Sequence, residues 1–379
     1  MPYLGSAMKY CLPVLAAGPF GVDAIHHMKL KLTSRQSNGS NNTPLVVTNY
    51  CADTVYPGII TQSGNGPQSS GFELSSGSNM SQTVSSDWQG RVWGRTNCTF
   101  NNNGEAGNRL PLRVGRGNTP VTLAEFTLDA GDGQTYYDVS LVDGYNLPMA
   151  IVLVPHGNSS LDDIPPNLTN PSCVASVGDL AGSNFNPYSG QGSQIFLGTN
   201  SSFPLPFDTK VSSSDVADWC PWDLQVSPPS SPGDGVYPYP DTNIARPPFN
   251  PCYSACAKYN EDQYCCNGKY NSPNSCNPNY YAKAAKSVCP DAYSYAYDDQ
   301  SSTFIIPSGA GFEVVFCPGG RSTNILATKG NQESQLQNTG HVSGSGGSLR
   351  IPILDVRMSM ITVTAVLLSL VAASFVSFA

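Results

Sequence analysis

Short apolar runs alternate with polar positions along the chain between Pro44 and about Pro155. The runs are rich in β-branched and aromatic residues, and clusters of Gly, Asn and Asp separate them, as in strands joined by turns. No long segment of this region shows the apolar spacing of an amphipathic helix. The pattern therefore predicts a β-sandwich or barrel. Its strands are expected in PLVVTNY, RVWGRTNCTF, VTLAEFTL, TYYDVSLV and MAIVLVP.

The pattern changes in the second half of the chain. Residues 174–250 are dominated by Ser, Pro, Gly, Asn and Asp and predict an extended surface loop. Residues 251–290 contain six Cys, a density that predicts a small loop-rich region stapled by disulfides, with a short helix over 280–287. Residues 304–317 predict a terminal hairpin that returns to the sandwich, and residues 324–348 predict a polar Ser/Gly-rich stalk.

The beginning of the chain predicts a processing signal. Within residues 1–24, Lys9 precedes a short apolar run, which fits a signal peptide that starts at Met8. An inexact start or an unstructured leader is the alternative. Residues 25–43 are rich in Ser and Asn and predict a polar linker.

The end of the chain predicts a membrane anchor. Residues 349–379 contain a spacer and then an uncharged stretch that begins at Met358. Small residues, a spacer and a terminal apolar tail form a glycolipid (GPI) anchor signal, with Ser345 as the predicted attachment residue. The alternative is a tail-anchored transmembrane helix. We favour the lipid anchor because such a helix usually carries positive charges on its cytoplasmic flank, and here no residues follow.

Composition indicates the cellular compartment and argues against several classes of partner. The 379 residues include 12 Cys and carry a net charge of −8, which disfavours a nucleic-acid binder. No zinc-like His–Cys spacing, phosphate-binding loop, dinucleotide fingerprint or GxSxG motif is present, so we expect no metal and no cofactor. Seven N-x-S/T sequons add to the prediction of a secreted glycoprotein; they lie at Asn38, Asn41, Asn79, Asn97, Asn158, Asn167 and Asn200.

Several composite motifs resemble those of the thaumatin-like proteins, a family of plant pathogenesis-related and osmotin-type proteins that also occurs in fungi. They are VTNYCADTVYPG, GRVWGRTNCTF, TLAEFTL, YYDVSLVDGYNLPM, CYSACAKYNEDQYCC, VCPDAYSYAYDD and VVFCP, in the order and spacing of the family over about residues 45–318. The resemblance implies a mainly β domain over 44–323, with a β-sandwich over 44–172 and 300–318 and a disulfide-stapled loop and short-helix region. Together with the anchor signal, it indicates a fungal member.

The resemblance also implies a disulfide framework. Its pairs are Cys51–Cys317, Cys173–Cys289, Cys220–Cys252, Cys256–Cys265 and Cys266–Cys276. The family has further Cys after its WxRTxC segment, whereas residues 101–117 have none. If Cys11 is removed with the leader, Cys98 is left as a buried inert thiol or as an intermolecular bridge, and we favour the buried thiol.

Members of the family carry an acidic cleft lined by one Arg, one Glu and three Asp. The resemblance places these at Arg95, Glu125, Asp138, Asp143 and Asp291. Mutual repulsion and burial of clustered carboxyls can supply the protonated acid and ionised partner that glycoside hydrolysis requires. Glu125 is the candidate acid and Asp138 or Asp143 the base. Arg95 and Asp291 are expected to bind substrate, and the alternative is that these acids only satisfy turns and an Arg pair.

Aromatic residues beside the acids are candidates to stack on sugar rings. Tyr145 and Tyr293 lie close in sequence to the cleft positions, with core packing as the alternative. The sequence thus predicts a monomeric cell-surface protein that binds β-1,3-glucan or another wall polysaccharide, in wall remodelling or defence. Weak endo-β-1,3-glucanase activity is one hypothesis. A non-catalytic wall-structural protein is another, and an antifungal protein or enzyme inhibitor is a third.

Overall fold

The computed structural model describes residues 42–96, 98, 119–156, 158–189, 195–228, 251–340 and 342. The chain divides into two units, Met1–Val342 and Ser343–Ala379, and every described residue belongs to the first. Ser345 and the predicted anchor segment 349–379 lie outside the described residues, as do the predicted leader 1–24 and nearly all of the predicted linker 25–43. Within the described part of the chain, no helix combines the length and apolar character needed to cross a bilayer.

In the described part of the chain, ten strands form two five-stranded sheets. The first sheet has the order β3-β1-β10-β7-β8 and the second the order β2-β4-β5-β6-β9. Among these pairs only β1 and β10 run parallel. The strands are β1 (Thr43–Asn49), β2 (Gly58–Ser63), β3 (Asn79–Val84), β4 (Gln89–Trp93), β5 (Leu123–Thr127), β6 (Gln134–Ser140), β7 (Met149–Val154), β8 (Ser172–Cys173), β9 (Phe304–Pro307) and β10 (Gly311–Phe316).

The core of the sandwich is a chain of aromatic contacts between the two sheets. Phe126 of β5 packs with its ring centroid 5.0 Å from that of Phe312 of β10, and Tyr137 of β6 lies 4.8 Å from the same ring. Because side chains alternate along a strand, the residues next to Phe126 and Tyr137 lie on the outer face of the second sheet. The predicted mainly β sandwich is therefore confirmed.

Two features of the strand pattern differ from the sequence prediction. The terminal segment 304–317 does not form a hairpin, because β9 pairs with β6 in the second sheet and β10 pairs with β1 and β7 in the first. The sequence did not predict β2, β3 or the two-residue β8. All three are edge strands, and none of them shows a long apolar run.

Five α-helices among the described residues accompany the sheets. They are α1 (Ser213–Asp218), α2 (Ala255–Tyr259), α3 (Asp262–Cys265), α4 (Tyr280–Val288) and α5 (Ile325–Thr339). The short helix predicted at 280–287 corresponds to α4. The predicted loop 174–250 contains α1 and short 3-10 turns within its described part.

Helix α5 corrects the prediction of a stalk at 324–348. Its fifteen residues pack against β9 and the 3-10 turn Pro166–Leu168, with Ile325 and Leu336 fully buried. Gly340 ends the helix in the left-handed conformation (φ 67°), where glycine carries no steric penalty. The polar composition concealed the helix, because only a few of its residues face the domain.

All five predicted disulfides are confirmed: Cys51–Cys317, Cys173–Cys289, Cys220–Cys252, Cys256–Cys265 and Cys266–Cys276. The first joins the residues after β1 to the end of β10, which are neighbours in the first sheet. The expectation of an unpaired Cys98 is wrong. Cys98 is disulfide-bonded, with its partner outside the described residues, and no cysteine in the described part of the chain is free.

The predicted glycosylation sites differ in accessibility. Asn79 and Asn200 are exposed, whereas Asn158 is half-buried and its side-chain amide donates to Ser308 O at 2.8 Å. Asn167 is only 8% exposed, and its amide nitrogen donates to Pro204 O at 3.2 Å. Since a glycan needs that nitrogen, Asn167 is corrected to a structural residue. Asn38, Asn41 and Asn97 lie outside the described residues.

Candidate functional site

The strand register of the second sheet aligns three charged residues. Arg91 of β4 lies opposite Glu125 of β5, which lies opposite Asp138 of β6. Their neighbours Val92, Ala124 and Val139 are buried in the core, so these three side chains share the outer face. We call Arg91, Glu125 and Asp138 the charged row.

Arg91 connects two of the predicted carboxylates. Its Nε lies 3.4 Å from Glu125 Oε1, and its Nη1 lies 4.0 Å from Asp143 Oδ2. All three side chains are between 16% and 19% exposed, so solvent reaches them. Asp143 leaves the strand through the turn at Gly144, as predicted. Gly144 has φ 103°, and a Cβ there would lie 2.5 Å from Cys252 O.

Asp138 is the most deeply buried member of the charged row. It is 4% exposed, and its Oδ1 has no hydrogen-bond partner among the described residues. Burial, followed by the charge of Glu125, raises the pKa of Asp138 well above its ordinary value, and Arg91 opposes that effect. This direction favours the protonated form of Asp138, one of the two residues predicted as the base, while Glu125, the predicted acid, forms an ion pair with Arg91.

Asp299 is a further acidic neighbour that the sequence analysis missed. Its charge also raises the pKa of Asp138. Tyr293 donates from its hydroxyl to Asp299 Oδ1 at 2.9 Å, and the same hydroxyl lies 2.5 Å from Thr303 Oγ1. The sequence signal for Asp299 is the acidic pair at the end of AYSYAYDD. The other member of that pair, Asp298, instead forms an ion pair with Lys286 at 3.1 Å.

The arginine of the site is Arg91, and the assignment to Arg95 is corrected. Strand β4 ends at Trp93, and Arg95 follows two residues later, where its backbone exchanges hydrogen bonds of 2.7 and 3.2 Å with that of Tyr56. Its guanidinium lies over the Trp93 ring, 5.8 Å from the centroid, and its Nε has no hydrogen-bond partner within the described part of the chain. Burial lowers the pKa of Arg95 to about 10. The alternation of β4 could have selected Arg91, because it lies opposite Glu125.

Asp291 supports the fold and does not join the charged row. It is 2% exposed and accepts hydrogen bonds from Ile325 N at 2.7 Å and Leu326 N at 3.0 Å. These are the first two N–H groups of α5, which lack partners within the helix. The prediction that Asp291 binds substrate is therefore corrected to a helix cap.

Neither predicted stacking tyrosine presents an open ring face. Tyr145 is 1% exposed, its hydroxyl lies 2.7 Å from Ser176 Oγ, and its ring packs edge-on against Trp219. Tyr293 is 4% exposed. Tyr145 is thus a core residue, and Tyr293 positions Asp299 through its hydroxyl.

The arrangement offers one buried acid beside solvent-accessible carboxylates that share an arginine. Together these side chains can donate and accept hydrogen bonds with neutral polar ligands. They can also present a carboxylic acid and a carboxylate to one bond of a ligand. Among the described residues, no group of three or more His, Cys, Asp or Glu side chains is placed to hold a metal ion.

Comparison with known proteins agrees with this architecture. Residues 49–318 match the Thaumatin family. The chain is 33% identical to thaumatin-like protein 1 of Pyrus pyrifolia over 290 residues, covering 74% of this chain and 93% of that protein. It is 35% identical to pathogenesis-related protein 5 of Arabidopsis thaliana, covering 73% and 90% of the two chains. A protein of Prunus avium named glucan endo-1,3-beta-glucosidase is 31% identical, with 77% and 97% covered. The chain belongs to the thaumatin family.

Proposed function

We propose that this protein binds β-1,3-glucan through the charged row and its neighbours Asp143 and Asp299. The observation that carries the proposal is the buried carboxyl of Asp138, whose pKa is raised, beside the Arg91–Glu125 ion pair on the outer face of the second sheet. Sugar hydroxyls both donate and accept hydrogen bonds, and this group presents both kinds of partner. The similarity to a glucan endo-1,3-beta-glucosidase supports the choice of polymer.

Hydrolysis of the bound glucan is a second candidate function. The specific observation in its favour is that Glu125 and Asp138 are direct cross-strand partners in different surroundings: Asp138 is buried and has a raised pKa, and Glu125 is paired with Arg91. Cleavage of a glycosidic bond needs one carboxylic acid that protonates the leaving oxygen and one carboxylate that attacks the anomeric carbon or activates the water that does so. Asp138 would supply the proton and Glu125 the carboxylate.

We also propose that the protein acts outside the cell, at the surface or in the wall, attached through the anchor signal at 349–379. The disulfide framework supports an oxidising compartment. Treatment of intact cells with phosphatidylinositol-specific phospholipase C should release the protein. Retention on the cells, while a known lipid-anchored control is released, would contradict the lipid anchor.

Binding is tested with the full chain, produced in a secreting eukaryotic host so that its disulfides form. We expect insoluble linear β-1,3-glucan to deplete the protein from solution, and cellulose, a β-1,4-glucan, not to do so. Glu125→Gln and Asp143→Asn should each weaken binding by about tenfold, since a hydrogen bond to a charged group contributes roughly 1.5–3 kcal/mol. Glu313→Gln is the matched control, because Glu313 lies on β10 in the other sheet.

Asp138→Asn separates binding from hydrolysis. Asparagine resembles a protonated carboxyl in shape and can donate a hydrogen bond, but it cannot transfer a proton to the leaving oxygen. The variant should still bind glucan while release of reducing ends is lost. Binding by the wild-type protein without any reducing ends would reject hydrolysis, and absence of binding would reject the proposed function.

A further inference from the structure

A cavity of about 560 Å³ lies between α5 and the second sheet. Its sheet side includes Gln89, Thr127 and Tyr136, which lie two residues along their strands from Arg91, Glu125 and Asp138. Asp299 and Tyr293 also line it. The cavity therefore continues from the charged row along the same face of the sheet. Its other wall is α5, including Glu333 and Gln337.

Glu333 is a buried carboxyl that lines this cavity without a protein partner. It is 2% exposed, and neither carboxyl oxygen has a hydrogen-bond partner among the described residues. Leaving a buried polar group unsatisfied costs about 1–3 kcal/mol, more for a charged one. A ligand or a water molecule in the cavity would supply the missing hydrogen bonds.

The wall that carries Glu333 is held in place. Asp291 caps the first turn of α5, as described above, and Gln134 Nε2 donates to Gln337 O at 2.8 Å near its last turn. Between these ends, Glu333 lies on the same buried side of the helix as Ile325 and Leu336. The cavity is thus bounded by two fixed surfaces, as preformed ligand sites generally are.

The lining favours a neutral, hydroxyl-rich ligand over a cation. Burial, with a contribution from Asp291, raises the pKa of Glu333 to about 8, so at neutral pH the carboxyl is mostly protonated and can both donate and accept. Gln89, Thr127 and Gln337 add neutral polar groups, and Ile305 adds apolar surface. Sugar rings combine hydroxyl edges with apolar C–H faces, and the volume lies within the usual range for ligand pockets.

We propose that this cavity is an additional saccharide subsite, in which Glu333 of α5 hydrogen-bonds the hydroxyls of a sugar unit of the chain that crosses the charged row. The inference rests on the glucan binding proposed above. Helix α5 begins after residue 318, where the match to the Thaumatin family ends, so this wall is an addition to the family domain.

The test compares a β-1,3-linked disaccharide with the hexasaccharide, using the full chain and calorimetry. Only a long saccharide can occupy both the charged row and the cavity. We therefore expect the wild type to bind the hexasaccharide at least about tenfold more tightly than the disaccharide, which corresponds to one additional buried polar contact. Glu333→Leu should weaken hexasaccharide binding and so remove this preference. Glu333→Gln, which keeps neutral hydrogen-bonding groups, should largely retain it.

A second pair of variants obstructs the cavity without touching Glu333. Gly330 lines the cavity, and a Cβ at this position would meet no atom within 4 Å. Gly330→Trp should abolish the preference for the hexasaccharide, and Gly330→Ala is its control. Circular dichroism and thermal unfolding report whether each variant keeps the fold.

The outcomes separate this inference from the proposed function. If the wild type prefers the hexasaccharide but folded Glu333→Leu and Gly330→Trp keep the full preference, the subsite is wrong and glucan binding stands. A wild type that binds both oligosaccharides equally also overturns the subsite alone. A wild type that binds neither saccharide overturns both proposals.

Discussion

Glu125 and Asp138 lie directly opposite each other on the paired strands β5 and β6, and the charge of Glu125 helps to raise the pKa of Asp138. Arg91, the cross-strand partner of Glu125, acts in the opposite direction on Asp138. The pKa of Asp138 therefore depends on the charges of Glu125 and Arg91 as well as on burial.

The first prediction is that substitutions in the row move the pKa of Asp138 in opposite directions. Glu125→Gln removes a negative neighbour and should lower that pKa, whereas Arg91→Gln removes a positive neighbour and should raise it. The measurement is an NMR titration of protein labelled with ¹³C at aspartate carboxyls, with Glu313→Gln as the control. Shifts of the same sign in both variants would contradict the electrostatic coupling.

The second prediction concerns which arginine serves the site. Arg91 lies within ion-pair distance of Glu125 and Asp143, while Arg95 lies over Trp93. Arg91→Gln should weaken β-1,3-glucan binding by about tenfold because it releases two carboxylates from their shared partner. Arg95→Gln, measured in the same depletion assay, should have less than a third of that effect. A larger loss at Arg95 would reverse the assignment.

The third prediction concerns the helix cap. Asp291→Ala leaves the N–H groups of Ile325 and Leu326 without their acceptor, so it should lower the free energy of unfolding by roughly 1–3 kcal/mol. Asp291→Asn retains one carbonyl acceptor and should cost less. Urea unfolding gives the measurement, with the exposed Asp163→Ala as control. Equal stability of Asp291→Ala and the wild type would show that the cap contributes little.

The fourth prediction is a pH dependence of stability that belongs to Glu333. Its pKa rises from 4.5 to about 8 on folding, so between these values the folded protein binds more protons than the unfolded chain. Stability should therefore fall as pH rises through this window, by up to about 1.4 kcal/mol per pH unit, and become level above it. Asp291 and Tyr137 are the titratable groups whose charges couple to Glu333, and Asp299 lines the same cavity.

Asp138 contributes a dependence of the same sign, so the informative quantity is a difference between proteins. Unfolding free energies of the wild type and Glu333→Gln should be measured from about pH 5 to 9, a range that contains this window. The variant should lose less stability as pH rises. Parallel curves would show that Glu333 does not titrate in this window.

The fifth prediction uses two glycines of α5. Gly330 lies inside the helix with open space around a would-be Cβ, so Gly330→Ala should stabilise the protein by about 0.5–1 kcal/mol. Gly340 has φ 67° at the end of the helix, and a Cβ there would lie 3.2 Å from Pro307 Cγ. Gly340→Ala should therefore destabilise it. Thermal unfolding checks both, and the same sign for both substitutions would contradict this account of the helix.

The sequence alone determined the class of fold and the position of most of its strands. Alternation of apolar residues is a local property, so it identified β5, β6 and β7, and the motifs that resemble the family specified all five disulfides. The same resemblance also placed Glu125, Asp138 and Asp143 in one candidate site. These features were readable because each depends on residue types within a short segment or a composite motif.

Tertiary structure decided what these residues do. Asp291 caps a helix that begins 34 residues later, and the pKa of Asp138 is raised by its burial and its cross-strand partner. Arg91 replaces Arg95 because only Arg91 lies in the charged row. Helix α5 is polar in sequence and is ordered by contacts with β9 and the turn Pro166–Leu168. Burial, pKa and capping depend on neighbours distant in sequence, and therefore only the packed structure assigns them.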